Sequence, residues 1–196
     1  MNLTSKKESL RRFYSPPAKL FFNLGIHPNL ITLLSLLFGL LSAWFFYSQR
    51  PLLGSFCLFI CGIFDLSDGE VARLSCKTSG FGAVFDWSVD KTVDIFVLGS
   101  IGLAYSSAFV TLSMIAISTL HSFLKPLAYL EVSPELKDRL ESVGFFGRPE
   151  THIFIILFGA LEDLGLSIGL SEGYFLILLL SFLSFSERFF YLYKHS

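Results

Sequence analysis

Four aspartates stand close together in the run "DLSDGEVARLSCKTSGFGAVFDWSVD", from Asp65 to Asp90, within an otherwise very apolar chain. Asp65 and Asp68 are three residues apart and share a helix face, which Gly69, Ala72 and Arg73 continue. Asp86 and Asp90 are four apart on the next apolar stretch, with Gly82 one turn earlier and the short turn "CKTSG" between the two stretches. Asp68 lies seven residues before Ser75 and Asp86 five after Phe81, while Asp65 and Asp90 lie ten and nine away by the same count. In an antiparallel helical hairpin the four carboxylates would therefore meet at matching depth, on the order of 8–15 Å from the turn. Gly69, Ala72 and Gly82 would let two backbones, or a ligand, approach closely.

Each such charge costs several kcal/mol in a lipid environment unless it is paired, hydrated or bound to a metal. Carboxylate oxygens are hard ligands that suit Mg²⁺, Mn²⁺ or Ca²⁺. Two divalent cations would balance four carboxylates and would form the clamp used for displacement at phosphorus. Intramembrane carboxylates can also mark an ion path, so a divalent cation transporter is the rival class. That rival would spread its carboxylates over several helices and depths, whereas here they sit on adjacent stretches at one depth.

The elements that must carry this cluster are membrane helices. Of the 196 residues 53% are hydrophobic and only 16% charged, with a net charge of −1. The mean hydropathy is +0.62. Soluble domains carry about 25% charged residues, so an integral membrane protein is expected. Six apolar stretches are long enough to cross a bilayer: Leu30–Tyr47, Leu52–Ser75, Phe81–Tyr105, Phe109–Tyr129, Thr151–Leu170 and Tyr174–Tyr193. Helices are expected for all six, because unpaired backbone cannot face lipid. With both termini on one side, that side receives every lysine and arginine except Arg50, which makes it cytoplasmic.

Residues 1–28 form a basic N-terminal segment that reads either as a surface-lying amphipathic helix kinked at Pro16–Pro17 or as a topogenic tail. Its basic, proline-broken character makes a cleaved signal peptide unexpected. Residues 29–196 form the six-helix membrane domain. The loop after the fourth span opens a short helical stretch at Ser133–Pro134. Cys57, Cys61 and Cys76 form no CxxC pair and suggest no disulfide framework.

The spacing D-x2-D-G-x2-A-R-x8-G-x3-D-x3-D resembles the signature of the CDP-alcohol phosphotransferase family, with Asp65, Asp68, Gly69, Ala72, Arg73, Gly82, Asp86 and Asp90 each on a motif position. "HPNLIT" at the head of the first span is similar to that family's Pro-Asn-x-x-Thr entry. The resemblance implies a six-span homodimer that transfers a phosphoalcohol group from a CDP-activated donor to a hydroxyl acceptor and releases CMP. It implies that Asp65 and Asp86 touch both of two Mg²⁺ or Mn²⁺ ions, Asp68 the first and Asp90 the second. It further implies that Asp90 is the general base, and that Asn29, Thr32, Gly69, Arg73 and Ser79 contact the CDP moiety of CDP-diacylglycerol or CDP-archaeol. Asn29 also reads as a helix N-cap, and Arg73 as a bidentate phosphate clamp.

Basic residues at the cytoplasmic ends of later spans suggest the acceptor. Lys125, Arg148 and Arg188 could form a pocket for a phosphate monoester. Alternatively the arginines pair with Glu150 and Glu187, or snorkel to the headgroups. "GRPE" followed by an apolar span resembles the inositol-phosphate-accepting branch, although Thr151 stands where that branch commonly has a second arginine. Glycerol 3-phosphate is the other acceptor that such a pocket suits. Asp94 extends the Gly82–Asp86–Asp90 stripe one turn deeper, either paired with Lys91 or supporting the site. Glu162 and Asp163 are expected to cap the outer end of the fifth span. His27, His121, His152 and His195 show no ligand spacing; His121 and His152 fall near the basic pocket, where packing or a polar network is the expected role.

Overall fold

The computed structural model describes residues 7–131, 143–165 and 168–195. The Ser133–Pro134 stretch and the first six residues lie outside them. Seven helices account for most of the described chain: α1 Lys7–Asn23, α2 Pro28–Tyr47, α3 Pro51–Leu74, α4 Gly80–Tyr105, α5 Ala108–Glu131, α6 Arg148–Asp163 and α7 Leu170–His195. No strand occurs among the described residues. Each of the six expected spans falls on one of α2 to α7. By length and apolarity alone, four helices could cross a membrane: α2, α3, α5 through Ala128 and α7 through Lys194. The other two are different in kind: α4 bears the charges of the aspartate motif, and α6 has only 16 residues.

The helix starts follow from local chemistry. Pro28 and Pro51 open α2 and α3, where a missing N–H costs nothing. His27, not Asn29, is the N-cap of α2: its Nδ1 accepts from the Asn29 backbone N–H at 3.3 Å. Asn29 thus lies inside the first turn, and its side chain is free of the capping role expected for it. Ser79 caps α4, its Oγ accepting from Gly82 N–H at 3.0 Å. Pro16 and Pro17 both lie inside the single helix α1.

The spine of the bundle is α2, which packs extensively on both α3 and α4. Gly39 lets it approach α4 closely, since a Cβ there would stand 2.5 Å from Val93 Cγ2. Ser42 ties α2 to α3 by donating to the Gly54 carbonyl at 2.8 Å. By contrast α3 and α4 are not close-packed partners of each other; both lean on α2. The expected hairpin is therefore splayed, and the motif residues face a gap between the two helices. Beyond that gap α6 packs on α3, and α5 and α7 close the far side against α4 and each other.

The apolar core joins α2, α3 and α4 to α5, α6 and α7 through Phe46, Leu58, Val97, Ile101, Met114, Ile155 and Ile177. Tyr174 is buried with them and donates its hydroxyl to the Leu98 carbonyl at 3.0 Å. Large apolar side chains also cover the outside, among them Leu37, Trp44, Phe59, Phe96, Leu112 and Phe182. A continuous apolar exterior of this kind suits acyl chains and not water. The chain is a membrane protein.

The tight α2–α4 contact generates a first prediction. Gly39→Ala overpacks a buried, β-branched neighbour and should cost about 1–3 kcal/mol. Gly62→Ala, where nothing lies within 4 Å, should be neutral. Thermal unfolding of the detergent-solubilised protein should rank Gly39→Ala several degrees below Gly62→Ala; equal melting points would contradict the packing described.

Candidate active site

Three aspartates from α3 and α4 converge in the gap. One carboxylate oxygen from each of Asp65, Asp86 and Asp90 lies within 4.8 Å of the other two. Oxygens around a hard cation at roughly 2.1–2.5 Å stand about 3–5 Å apart, so this set fits one. Asp68 is not a member of that trio. It is buried one turn along α3, and the Thr32 hydroxyl of α2 donates to its Oδ2 at 2.6 Å. The same hydroxyl is 3.3 Å from the Pro28 carbonyl, so its single proton goes to the nearer carboxylate. The matching depths inferred from sequence therefore bring Asp65, Asp86 and Asp90 together, and leave Asp68 beside them on the α2 side.

Asp68 and Asp86 are walls of an open cavity of about 200 Å³, lined also by Asn29, Thr32, Gly69, Ala72, Arg73, Lys77, Thr78, Ser79 and Gly82. Every residue expected to contact a CDP group thus lines one cavity. A Cβ at Gly69 would meet only the Arg73 side chain, and one at Gly82 would stand 3.1 Å from Ser79 Oγ. These glycines widen the cavity floor; they do not serve a helix contact. Arg73 reaches over it from a half-exposed position, held by the buried Glu70 through contacts of 3.2 Å at Nε and 2.8 Å at Nη2. Glu70 lies three residues from Arg73 on the same helix face, a spacing that could have revealed the pair in the sequence.

On the other side of the aspartates stands Arg148, the first residue of α6. Its guanidinium touches three carboxylates: Nη1 to Asp65 Oδ2 at 2.9 Å, Nη2 to Asp90 Oδ1 at 2.9 Å, and Nε to Asp94 Oδ1 at 3.0 Å. The Nη2–Asp90 contact is an ion pair without hydrogen-bond alignment, so Asp90 Oδ1 has no hydrogen bond of its own. Three carboxylates converging on one point are what a hard cation site requires. Pairing of Arg148 with Glu150 is not what occurs. Glu150 Oε2 instead accepts from Gly147 N–H at 3.0 Å and closes the first turn of α6.

The approach to Arg148 is fixed by α7. Ser184 Oγ donates to the Phe146 carbonyl at 2.7 Å and accepts from its N–H at 3.2 Å. Buried Arg188 donates Nε to the Val143 carbonyl at 2.8 Å. Between them Gly144 has a φ of 85° and passes so close that a Cβ would stand 2.6 Å from Arg188 Nε. Arg188 therefore supports the backbone leading into Arg148. The side chain of Lys125 lies outside the described residues.

Asp94 has more partners than the sequence suggested. Lys91 Nζ reaches its Oδ2 at 2.6 Å and also Ser122 Oγ of α5 at 2.7 Å, and His152 Nε2 lies 3.2 Å from Oδ1. Lys91, Asp94, Ser122, Arg148 and His152, with the apolar Val97, Leu98 and Ile155, line a small cavity of about 30 Å³, which His121 also lines. The i,i+4 spacing of Arg148 and His152 placed both on one helix face, which the structure turns toward Asp94. Glu162, expected to cap the outer end of α6, instead accepts from Leu170 N–H at 2.8 Å and closes the turn into α7.

Comparison with known proteins gives the family and the fold. The family model described as CDP-alcohol phosphatidyltransferase matches residues 25–182. An archaetidylinositol phosphate synthase of Pyrococcus horikoshii is 30% identical over 174 residues, covering 87% of this chain and 85% of its own. A phosphatidylinositol phosphate synthase of Mycobacteroides abscessus is 25% identical over 166 residues, covering 83% and 74%. The same fold occurs in the Mycobacterium tuberculosis phosphatidylinositol phosphate synthase solved with CDP-DAG, at a TM-score of 0.72 and 22% identity over 93% of this chain and 94% of that one. That enzyme has also been solved with manganese and citrate, again at a TM-score of 0.72 and 22% identity, over 92% and 88%.

The carboxylate geometry makes a direct prediction. Asp86→Asn and Asp90→Asn should each weaken Mn²⁺ binding by at least about tenfold, because a cation loses a charged ligand. Asp163→Asn, exposed at the far end of α6, should leave it unchanged. Titration of Mn²⁺ followed by electron paramagnetic resonance checks this; equal affinities in all three variants would remove the cation site.

Proposed function

Because the chain belongs to the CDP-alcohol phosphatidyltransferase family, we propose that it transfers the diradylglycerol phosphate group of a CDP-activated lipid to a hydroxyl of inositol phosphate, releasing CMP. The observation that carries this reading is the position of the aspartates between two cavities. One is lined by the family-motif residues Gly69, Arg73 and Gly82, together with Asn29, Thr32 and Ser79. The other is lined by Arg148 and Lys91. A donor pyrophosphate entering from the first and an acceptor entering past the second would meet at Asp65, Asp86 and Asp90.

In this reading Asn29, Gly69, Arg73 and Ser79 hold the CDP moiety. Thr32 acts through Asp68, whose carboxylate it orients. Asp65, Asp68, Asp86 and Asp90 hold two divalent cations, Mg²⁺ or Mn²⁺. When bound, these ions neutralise the pyrophosphate and the leaving CMP. The acceptor hydroxyl oxygen attacks the lipid-bearing phosphorus, and a new P–O bond forms in line with the one that breaks. CMP leaves with the bridging oxygen, and the hydroxyl proton passes to the Asp90 carboxylate, whose Oδ1 is in ion-pair contact with Arg148. Arg148 meets the acceptor phosphate, for which its planar fork is suited. Arg188 and Lys125 complete that side, Arg188 by fixing the segment that delivers Arg148.

The topology follows from the same proposal. Helices α2 to α7 within residues 29–196 cross the membrane, residues 1–28 lie along its surface, and the cytoplasmic side receives both termini and the active site. The distribution of lysine and arginine supports it, with Arg50 at the opposite end.

Two measurements test the chemistry. CMP release from CDP-lipid, with Mg²⁺ or Mn²⁺ present, should occur with inositol phosphate and fail with free inositol or serine. Turnover with glycerol 3-phosphate alone would reassign the acceptor, and turnover with an uncharged acceptor alone would remove the cationic pocket. Asp90→Asn should lower CMP release by at least about 10²-fold, while CDP-lipid binding stays largely intact; normal turnover of that variant would displace Asp90 as the base.

A further inference from the structure

We propose that Asp94 is a positioning residue for the acceptor: it fixes the Arg148 guanidinium so that Nη1 and Nη2 face the reaction site. The inference rests on the reading that Arg148 meets the acceptor phosphate, and it names what aims that arginine.

Asp94 itself is fully committed. It is buried, with 5% of its surface exposed. Its Oδ1 holds Arg148 Nε at 3.0 Å and lies 3.2 Å from His152 Nε2, while Oδ2 takes Lys91 Nζ at 2.6 Å. With both oxygens engaged and one helical turn beyond Asp90, it is removed from the trio that fits a cation. Lys91 is in turn tied to Ser122. The carboxylate is thereby anchored from α4, α5 and α6 at once.

The planarity of guanidinium makes this anchor directional. Once Nε is fixed on Asp94, the plane of the fork is set, which places the neighbouring Nη2 on Asp90 and Nη1 on Asp65, at 2.9 Å each. Without the anchor, a long side chain at a helix start would sample many rotamers and spend little time aimed at the site. Bidentate phosphate recognition needs the fork in one orientation. Asp94 would thus govern acceptor binding without touching acceptor, donor or cation.

The test separates positioning from general structural support. Asp94→Asn is expected to raise the KM for inositol phosphate by about tenfold or more, the scale of a charge-assisted hydrogen bond, with the KM for CDP-lipid within about twofold. Combined with Arg148→Gln, it should add nothing to the loss that Arg148→Gln causes alone. Multiplicative losses, or KM values for donor and acceptor that rise together, would overturn the proposal. Should Asp94→Asn fail to fold because Lys91 is left uncompensated, Lys91→Met/Asp94→Asn removes the pair together and must show the same acceptor-specific rise. Wild-type protein measured in parallel keeps the two readings apart. If it does not use inositol phosphate or another phosphate monoester, the acceptor reading falls and this inference with it. If it does and Asp94→Asn behaves as wild type, only this inference falls.

Discussion

Arg148 is the contact on which the arrangement of the site depends. Asp65, Asp90 and Asp94 come from two helices that do not pack on each other, and one guanidinium touches all three. Carboxylates gathered inside an apolar bundle repel, and an uncompensated one costs several kcal/mol. A single side chain that pairs with three of them must be delivered with high accuracy. The bundle does so through the segment before α6, where Gly144 turns beneath Arg188, Ser184 holds both polar groups of Phe146, and Glu150 closes the first turn. None of these residues touches the aspartates, yet each restricts where Arg148 can stand.

The compensation remains partial. Asp65, Asp68, Asp86, Asp90 and Asp94 form a patch in which, among the described residues, Arg148 and Lys91 are the lysine and arginine cations in ion-pair contact. The surplus negative charge lies on the side of Asp68 and Asp86, facing the larger cavity. That is where hard cations and a pyrophosphate would be mutually stabilising. The splay of α3 and α4 makes room for them, and it is possible because α2 packs on both and takes over the contacts a closed hairpin would have made.

Much of this was legible in the sequence, for identifiable reasons. Fixed spacing of Asp65, Asp68, Asp86 and Asp90 on helical faces located the site, and long apolar runs located the helices. What could not be read were choices between partners near and far in the chain. Asn29 is the residue type that suits an N-cap, yet the backbone path makes His27 the cap. Arg148 had Glu150 two residues away, yet residues two apart on a helix point in different directions, and it reaches instead across to α3 and α4. Asp65, Asp86 and Asp90 converge, and Asp68 accepts from Thr32, 36 residues earlier in the chain. Such a contact carries no periodic signature.

The two sides of the site are built differently, and the difference bears on selectivity. Around the larger cavity Asp68, Asp86 and Arg73 supply charge, Ser79 and Asn29 stand at the starts of α4 and α2, and Gly69 and Gly82 open the floor. In the proposed function such a surface would follow the shape of the CDP moiety. Around the smaller cavity, Lys91, Asp94, Arg148 and His152 are linked to one another and to Ser122, so three helices must agree before any one of them is placed. A network so connected rejects small changes, because moving one member leaves another buried and unpaired. Variation in acceptor within the family is therefore expected to appear as coordinated change across α4, α5 and α6, and seldom as a single substitution.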